Sequence, residues 1–150
     1  MTQINKNNLS NDLSPYLQQH KNNPVNWQTW SKISLDFAKK NKKPILLSIG
    51  YASCHWCHVM AHESFENIEI AKVMNDNFIN IKVDREERPD LDFIFQRSLG
   101  ILTGAQGGWP LSMFLDENGV PFTGGTYFPP KETQGRPSFT QVLNNVSKVY

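Results

Sequence analysis

Apolar side chains recur along this chain with two different periods, and the switches between them predict its elements. Ile45 to Ile49 is a short apolar run interrupted only by Ser48, the pattern of a strand covered on both faces. Phe78 to Val83 alternates instead, with Asn80 and Lys82 set between Ile79, Ile81 and Val83, and predicts a second strand ending at Asp84. Between them, Cys54 to Glu63 can form a short helix. Asn67 can cap another whose buried stripe is Ile70, Val73 and Met74, so a bent or doubled helix is implied. Strand, helix, strand makes a right-handed parallel unit.

The same periodicities extend in both directions. Trp30, Ile33, Phe37 and Ala38 follow helical spacing, lysines 39, 40, 42 and 43 gather at the negative end, and Pro44 stops that helix. Pro89 suits a first helical position, Asp90 and Asp92 the positive end. Leu91, Ile94, Phe95, Ser98, Leu99 and Leu102 hold one face up to Gly104. Leu111 to Leu115 and Val120 to Phe122 flank an Asn118-Gly119 pair that supplies the positive φ angles of a hairpin turn. A Gly- and Pro-rich loop from Thr123 to Pro137 then leads to Ser138 as cap of a last helix through Phe139, Val142, Leu143, Val146 and Val149. Before all of this, residues 1–30 read as an irregular arm, broken by Pro15 and Pro24 and packed through Tyr16, Leu17, Trp27 and Trp30. The expectation is one α/β domain over residues 1–150, with a mixed sheet of a parallel unit and an antiparallel hairpin flanked by helices.

Composition narrows the partners. With 150 residues the chain is long enough to bury a core without disulfide staples. Fifteen basic against fourteen acidic side chains give a formal charge of +1, which supplies no field to draw in nucleic acid or an anionic membrane. No apolar run approaches the roughly 20 residues that span a bilayer. Residues 1–11 hold no apolar segment of a secretory signal, so a cytoplasmic setting is expected. The chain has two cysteines, three apart, both committed to Cys54-His55-Trp56-Cys57.

That motif sits between a predicted strand and a predicted helix, the context of a thioredoxin-like redox pair. A thiolate at a helix N-terminus is stabilised by free backbone N–H groups and the dipole, while Cys57, one turn in on the same face, can reach the Cys54 sulfur and resolve a mixed disulfide. Protonated His55 would stabilise the thiolate further, and Trp56 would shield the pair. Cys54 and Cys57 are thus the candidate catalytic residues, and His55, Trp56 and His58 the residues that tune them. The reaction needs no metal or organic cofactor. It implies a protein or small-molecule disulfide as substrate and an external reductant. The competing class is a binding or redox-sensing module that keeps its thiols as a passive switch.

Two other chemistries use the same residues. Cys54-His55-Trp56-Cys57-His58 has the spacing of a c-type haem site, with His58 as proximal ligand, but lacks the export signal and helical pattern that would accompany it. Zinc would draw on His55, His58 and His62. Eight residues of helix, however, separate Cys54 from His62 by about 12 Å, too far to share one ion, which leaves Cys54, Cys57 and His58 as the alternative zinc-binding set.

Several longer runs carry a resemblance. Leu13 to His20, Asn23-Pro24-Val25-Asn26-Trp27, Cys54 to Met60, Lys82 to Asp90, Gly107-Gly108-Trp109-Pro110-Leu111 and Gly124 to Pro130 resemble the spermatogenesis-associated, YyaL-like thioredoxin-domain proteins. The resemblance covers nearly the whole chain and implies a thioredoxin fold with a redox centre and no known substrate. It also implies that Pro110 is the cis proline facing the cysteines, with Trp109 beside it as a substrate contact. Members of that family usually continue into a large helical toroid, so a contact with such a C-terminal domain, absent from this chain, is implied as well. One departure stands out. Ordinary thioredoxins carry a buried acid six residues before the first cysteine, where this chain has Ser48, so a proton from Cys57 must go to another group, His58 or water.

Overall fold

The structure, a computed structural model, describes residues 4–150, so the first three residues of the predicted arm lie outside the described residues. Four strands form one sheet in the order β2-β1-β3-β4. β1 (Ile45–Gly50) lies parallel to β2 (Ile79–Asp84) and antiparallel to β3 (Leu111–Leu115), which pairs antiparallel with β4 (Pro121–Gly125). The helices are α1 (Pro15–Gln18), α2 (Lys32–Asn41), α3 (His55–Met60), α4 (Ile68–Asn77), α5 (Pro89–Thr103) and α6 (Phe139–Val149). The predicted parallel unit and hairpin are both present. The bent helix is α3 running into a π-helical turn (Ala61–Phe65) before Asn67 caps α4.

All six residues of β1 and all six of β2 are buried. Alternation of the kind seen in β2 ordinarily marks a strand with one wet face. Here the arm removes that water. Gln28 bridges to Ile81, its N–H donating to Asn80 O at 2.8 Å and its carbonyl accepting from Lys82 N at 2.9 Å. Leu9, Tyr16, Leu17, Val25 and Trp27 are buried, so the arm is a core element as well as an irregular one.

Four local readings shift. In α2 the buried positions are Ser34 and Ala38, whereas Ile33 and Phe37 are exposed; Ser31 caps the helix and Lys42, at φ 54°, ends it two residues before Pro44. In α5, Leu91, Phe95 and Leu99 are buried as expected, but Ile94 and Leu102 face outward and Asp92 faces inward. The hairpin does not use Asn118-Gly119 as a two-residue turn: only Gly119 has positive φ, and the Asp116 carboxylate instead accepts from Asn118 N and Val120 N. Finally, β4 runs through Thr123 to Gly125, into the stretch read as loop. A Cβ at Gly124 would strike Met113 Sδ and Ser112 O, so the glycine is what lets that strand lie against β3.

Candidate functional site

β1 delivers the chain to the cysteines. After Gly50 a short turn, closed by Cys54 N donating to Tyr51 O at 3.2 Å, brings Cys54 to the N-cap of α3 with extended dihedrals. Its Sγ accepts from Cys57 N at 3.1 Å. The two cysteines are joined by a disulfide, with Cα atoms 5.2 Å apart, and both are buried, Cys54 at 4% and Cys57 at 1% exposure. An N-cap sulfur that already accepts a backbone N–H is placed to carry negative charge once the bond opens, because the same donor and the free N–H groups of the first turn then face an anion.

The cover over the pair comes from three separate segments: Tyr16 and Leu17 of α1, Tyr51 and Ala52 after β1, and Trp109 before β3. The Trp109-Pro110 peptide is cis, as the resemblance implied, and Pro110 is buried. Trp109 is held from outside. Its indole N–H donates to Asp92 Oδ1 at 2.8 Å, Asp92 Oδ2 also pairs with Arg85 Nε at 3.3 Å, and the Arg85 guanidinium lies 4.4 Å over the Trp109 ring. Arg85, Asp92, Tyr51 and Trp109 therefore form a cross-braced rim around the disulfide.

The residues between and after the cysteines turn outward. His55 is exposed and meets Trp56 edge to face; Trp56, half exposed, tilts onto Tyr127 with 5.0 Å between ring centroids. Tyr127 in turn donates to Glu63. His58 is exposed with Nε2 2.6 Å from Ala52 O, and since a carbonyl only accepts, that nitrogen carries a proton. Among the described residues no group of three or more His, Cys, Asp or Glu side chains gathers as metal ligands, and the thiols that a zinc site would use are bonded to each other.

Beneath the disulfide lies a polar cluster centred on Lys82, which the sequence did not single out, and Ser48, which it did. Lys82 is fully buried, its Nζ donating to Ser48 Oγ at 2.7 Å and lying about 5 Å from the centroids of the Tyr16, Trp27 and Phe65 rings. Burial pulls its pKa down from 10.5 to about 7. His20, edge-on to Tyr16, is held near 3, first by burial and then by the Lys82 charge. Burial raises the Tyr16 hydroxyl, with the Asp84 charge adding to it, and that hydroxyl has no hydrogen-bond partner among the described residues. The signal available beforehand was Lys82 inside a strand; what was missing was any sign that the arm would roof it. Asp92 was equally hidden, placed among helix-end acids.

With this geometry in place, comparison with known proteins is decisive on family. The model of the family described as Thioredox_DsbH, protein of unknown function, DUF255, matches residues 6–150. This chain belongs to that family. Like it are an uncharacterised protein, B0495.5, of Caenorhabditis elegans, 51% identical over 146 residues, and spermatogenesis-associated protein 20 of Homo sapiens, 48% identical over 137 residues. These alignments take in 97% and 91% of this DUF255 chain but only 20% and 17% of the relatives, so the chain spans about a fifth of the length of the curated relatives it matches. Two solved structures share its fold. A protein titled DsbH oxidoreductase superposes with TM-score 0.56 at 18% identity over 83% of this chain and 81% of that one. A thioredoxin from Thermus thermophilus gives 0.54 at 15% identity over 82% and 87%. The architecture of the DUF255 domain is thus thioredoxin-like. Among the described residues no helix is long and apolar enough to cross a membrane.

Proposed function

We propose that this domain catalyses thiol-disulfide exchange through Cys54 and Cys57. The observation that carries the reading is the disulfide at the first turn of α3, with Cys54 as N-cap and Cys57 N–H already on its sulfur. Reduced Cys54 attacks one sulfur of a protein or small-molecule disulfide, expelling the other as thiolate. Cys57 then attacks Cys54 Sγ, releasing the second substrate thiol and leaving the internal disulfide, which an external dithiol reduces. His55 supports the Cys54 anion from the helix end, Trp56 and His58 shape its surroundings, and Trp109 with Pro110 forms the face against which an extended substrate lies. A cytoplasmic, reducing setting would supply the reductant.

The test is to equilibrate the protein in glutathione buffers and count alkylatable thiols by mass. A single two-thiol transition is expected, lost in Cys54→Ser and in Cys57→Ser. Turnover of a small disulfide that depends on Cys54 separates an enzyme from a passive switch. No internal disulfide at any accessible potential would remove the exchange mechanism.

A further inference from the structure

Cys57 is buried, so each time its sulfur leaves or attacks, a proton must cross a region closed to bulk water. Three observations bear on its route. A Cβ built on Gly50 would collide with both the Tyr16 hydroxyl and Cys57 Sγ, so these two atoms share the space above that glycine. Ser48 lies two residues back on the same face of β1, about 7 Å along the strand, and its Oγ holds Lys82 Nζ at 2.7 Å. The Tyr16 ring bridges the two places, its centroid 5.0 Å from Nζ and its hydroxyl, orphaned among the described residues, over Gly50.

We propose that Lys82 is the proton reservoir of the Cys54–Cys57 pair, acting through the Tyr16 hydroxyl. The inference rests on the exchange reading above and deepens it. When an external thiolate attacks Cys54 Sγ, the S–S bond breaks and its electron pair leaves on Cys57. Tyr16 passes its hydroxyl proton to that thiolate and regains one from the Lys82 ammonium, so the thiol reductant is oxidised and Cys57 is reduced and neutral. In the opposite direction the Lys82 amine takes the Cys57 proton through the same hydroxyl, and the freed thiolate displaces the substrate thiol from Cys54. The lowered pKa of Lys82 suits both directions near neutrality, since ammonium and amine are both populated there.

Other groups facing Lys82 are otherwise engaged. From the turn after α1, His20 has Nδ1 on Asn23 Oδ1 and stays neutral. On β2 itself, Asp84 accepts from Ser14 Oγ at 2.7 Å and Glu86 N at 2.9 Å. On α3, His58 Nε2 is bound to the Ala52 carbonyl at the surface. β1 offers Ser48 and the π-helical turn Phe65, neither of which titrates. Among the described residues no carboxylate makes an ion pair with Lys82.

Coupling of this kind is reciprocal, so it is read first in the unmodified chain. The titration of the Lys82 side chain is followed by NMR in oxidised and reduced protein; reduction should raise its midpoint by about one pH unit or more, and identical midpoints would overturn the proposal. Next, Cys57 is titrated by ultraviolet thiolate absorbance in Cys54→Ser with and without Lys82→Met. Loss of the amine should move the thiol midpoint upward, and superimposable curves would again overturn it. In Tyr16→Phe, which keeps the ring, the coupling should persist while reduction of the disulfide by a dithiol slows by about 10²-fold, the usual scale of a positioned proton transfer. An unchanged rate would remove the hydroxyl from the path. Neither titration requires turnover, so failure to cycle in glutathione would count against the exchange reading alone.

Discussion

The two faces of the central sheet are built on opposite principles. One carries Ile45, Leu47 and Ile49 from β1, Ile79, Ile81 and Val83 from β2, and Leu111, Met113 and Leu115 from β3, all buried against Ala38, Leu91, Phe95 and Leu99. The other carries Leu46, Ser48 and Gly50, then Asn80, Lys82 and Asp84, then Ser112 and Phe114, equally buried yet largely polar. Strand register sets Ser48 beside Lys82 on one side and Ser112 on the other. Aliphatic burial stabilises without direction. A buried amine, two serines and a carboxylate do the reverse: each demands a partner, and together they lead to Gly50, where the cysteines close over the sheet. The contrast teaches that one face is a purely apolar contact, whereas the other sets its polar strand residues and the cysteines under an apolar cover that includes Trp27, Met60, Phe65 and Phe139.

The sharpest way to break that division is to damage the aliphatic face alone. Leu47 is central in it, fully buried between Ile81 and Met113 in the strand register. Leu47→Ala should cost about 2–5 kcal/mol in denaturant unfolding through lost transfer energy and the cavity left behind. The glutathione midpoint of Cys54 and Cys57 should stay where it was. A large shift in that midpoint would mean that the faces are not separable.

A smaller effect, with a distinctive sign, belongs to the polar face. Folding lowers the Lys82 pKa from 10.5 to about 7, so between those values the unfolded chain binds more protons than the native one. Stability therefore rises with pH across that window, by up to about 1.4 kcal/mol per pH unit, and is flat below and above it. The difference in unfolding free energy between the parent protein and Lys82→Met isolates this slope, because other titrating groups cancel. A difference that does not vary with pH would show that Lys82 is not held in a dry site.

The two faces were also unequally legible in the sequence. The strands, the parallel unit, the cap at Asn67 and the redox pair could be read because an unbroken apolar run, a capping residue and a Cys-x-x-Cys each announce one geometry. The roofing of the polar face could not. Asn80 and Lys82 alternate as on a solvated strand, and what dries them is the arm, whose Tyr16 and Trp27 follow no period. Similarly, α2 presents the small residues Ser34 and Ala38 to the sheet because they allow close approach, while the larger Ile33 and Phe37 that dominate the pattern point away. Partners such as Asp92 for Trp109, 17 residues apart, are set by tertiary packing that no local pattern encodes.

The mildest perturbation asks whether the polar face depends on its outer support. Ser138 opens α6 with a reciprocal cap, its Oγ accepting from Gln141 N at 3.1 Å while Gln141 Oε1 accepts from Ser138 N at 2.8 Å. Phe139, the next residue, stacks on Phe128 and meets Phe65, the ring that walls Lys82. Ser138→Ala should cost about 1 kcal/mol of stability, the usual loss for such a cap. The NMR midpoint of Lys82 should remain near 7, because Phe65 is also fixed by Trp27 from the arm, 5.0 Å away edge to face. A midpoint that climbs toward 10 in this variant would show water reaching the amine when α6 loosens, and would move the boundary of the chemical face outward to include that helix.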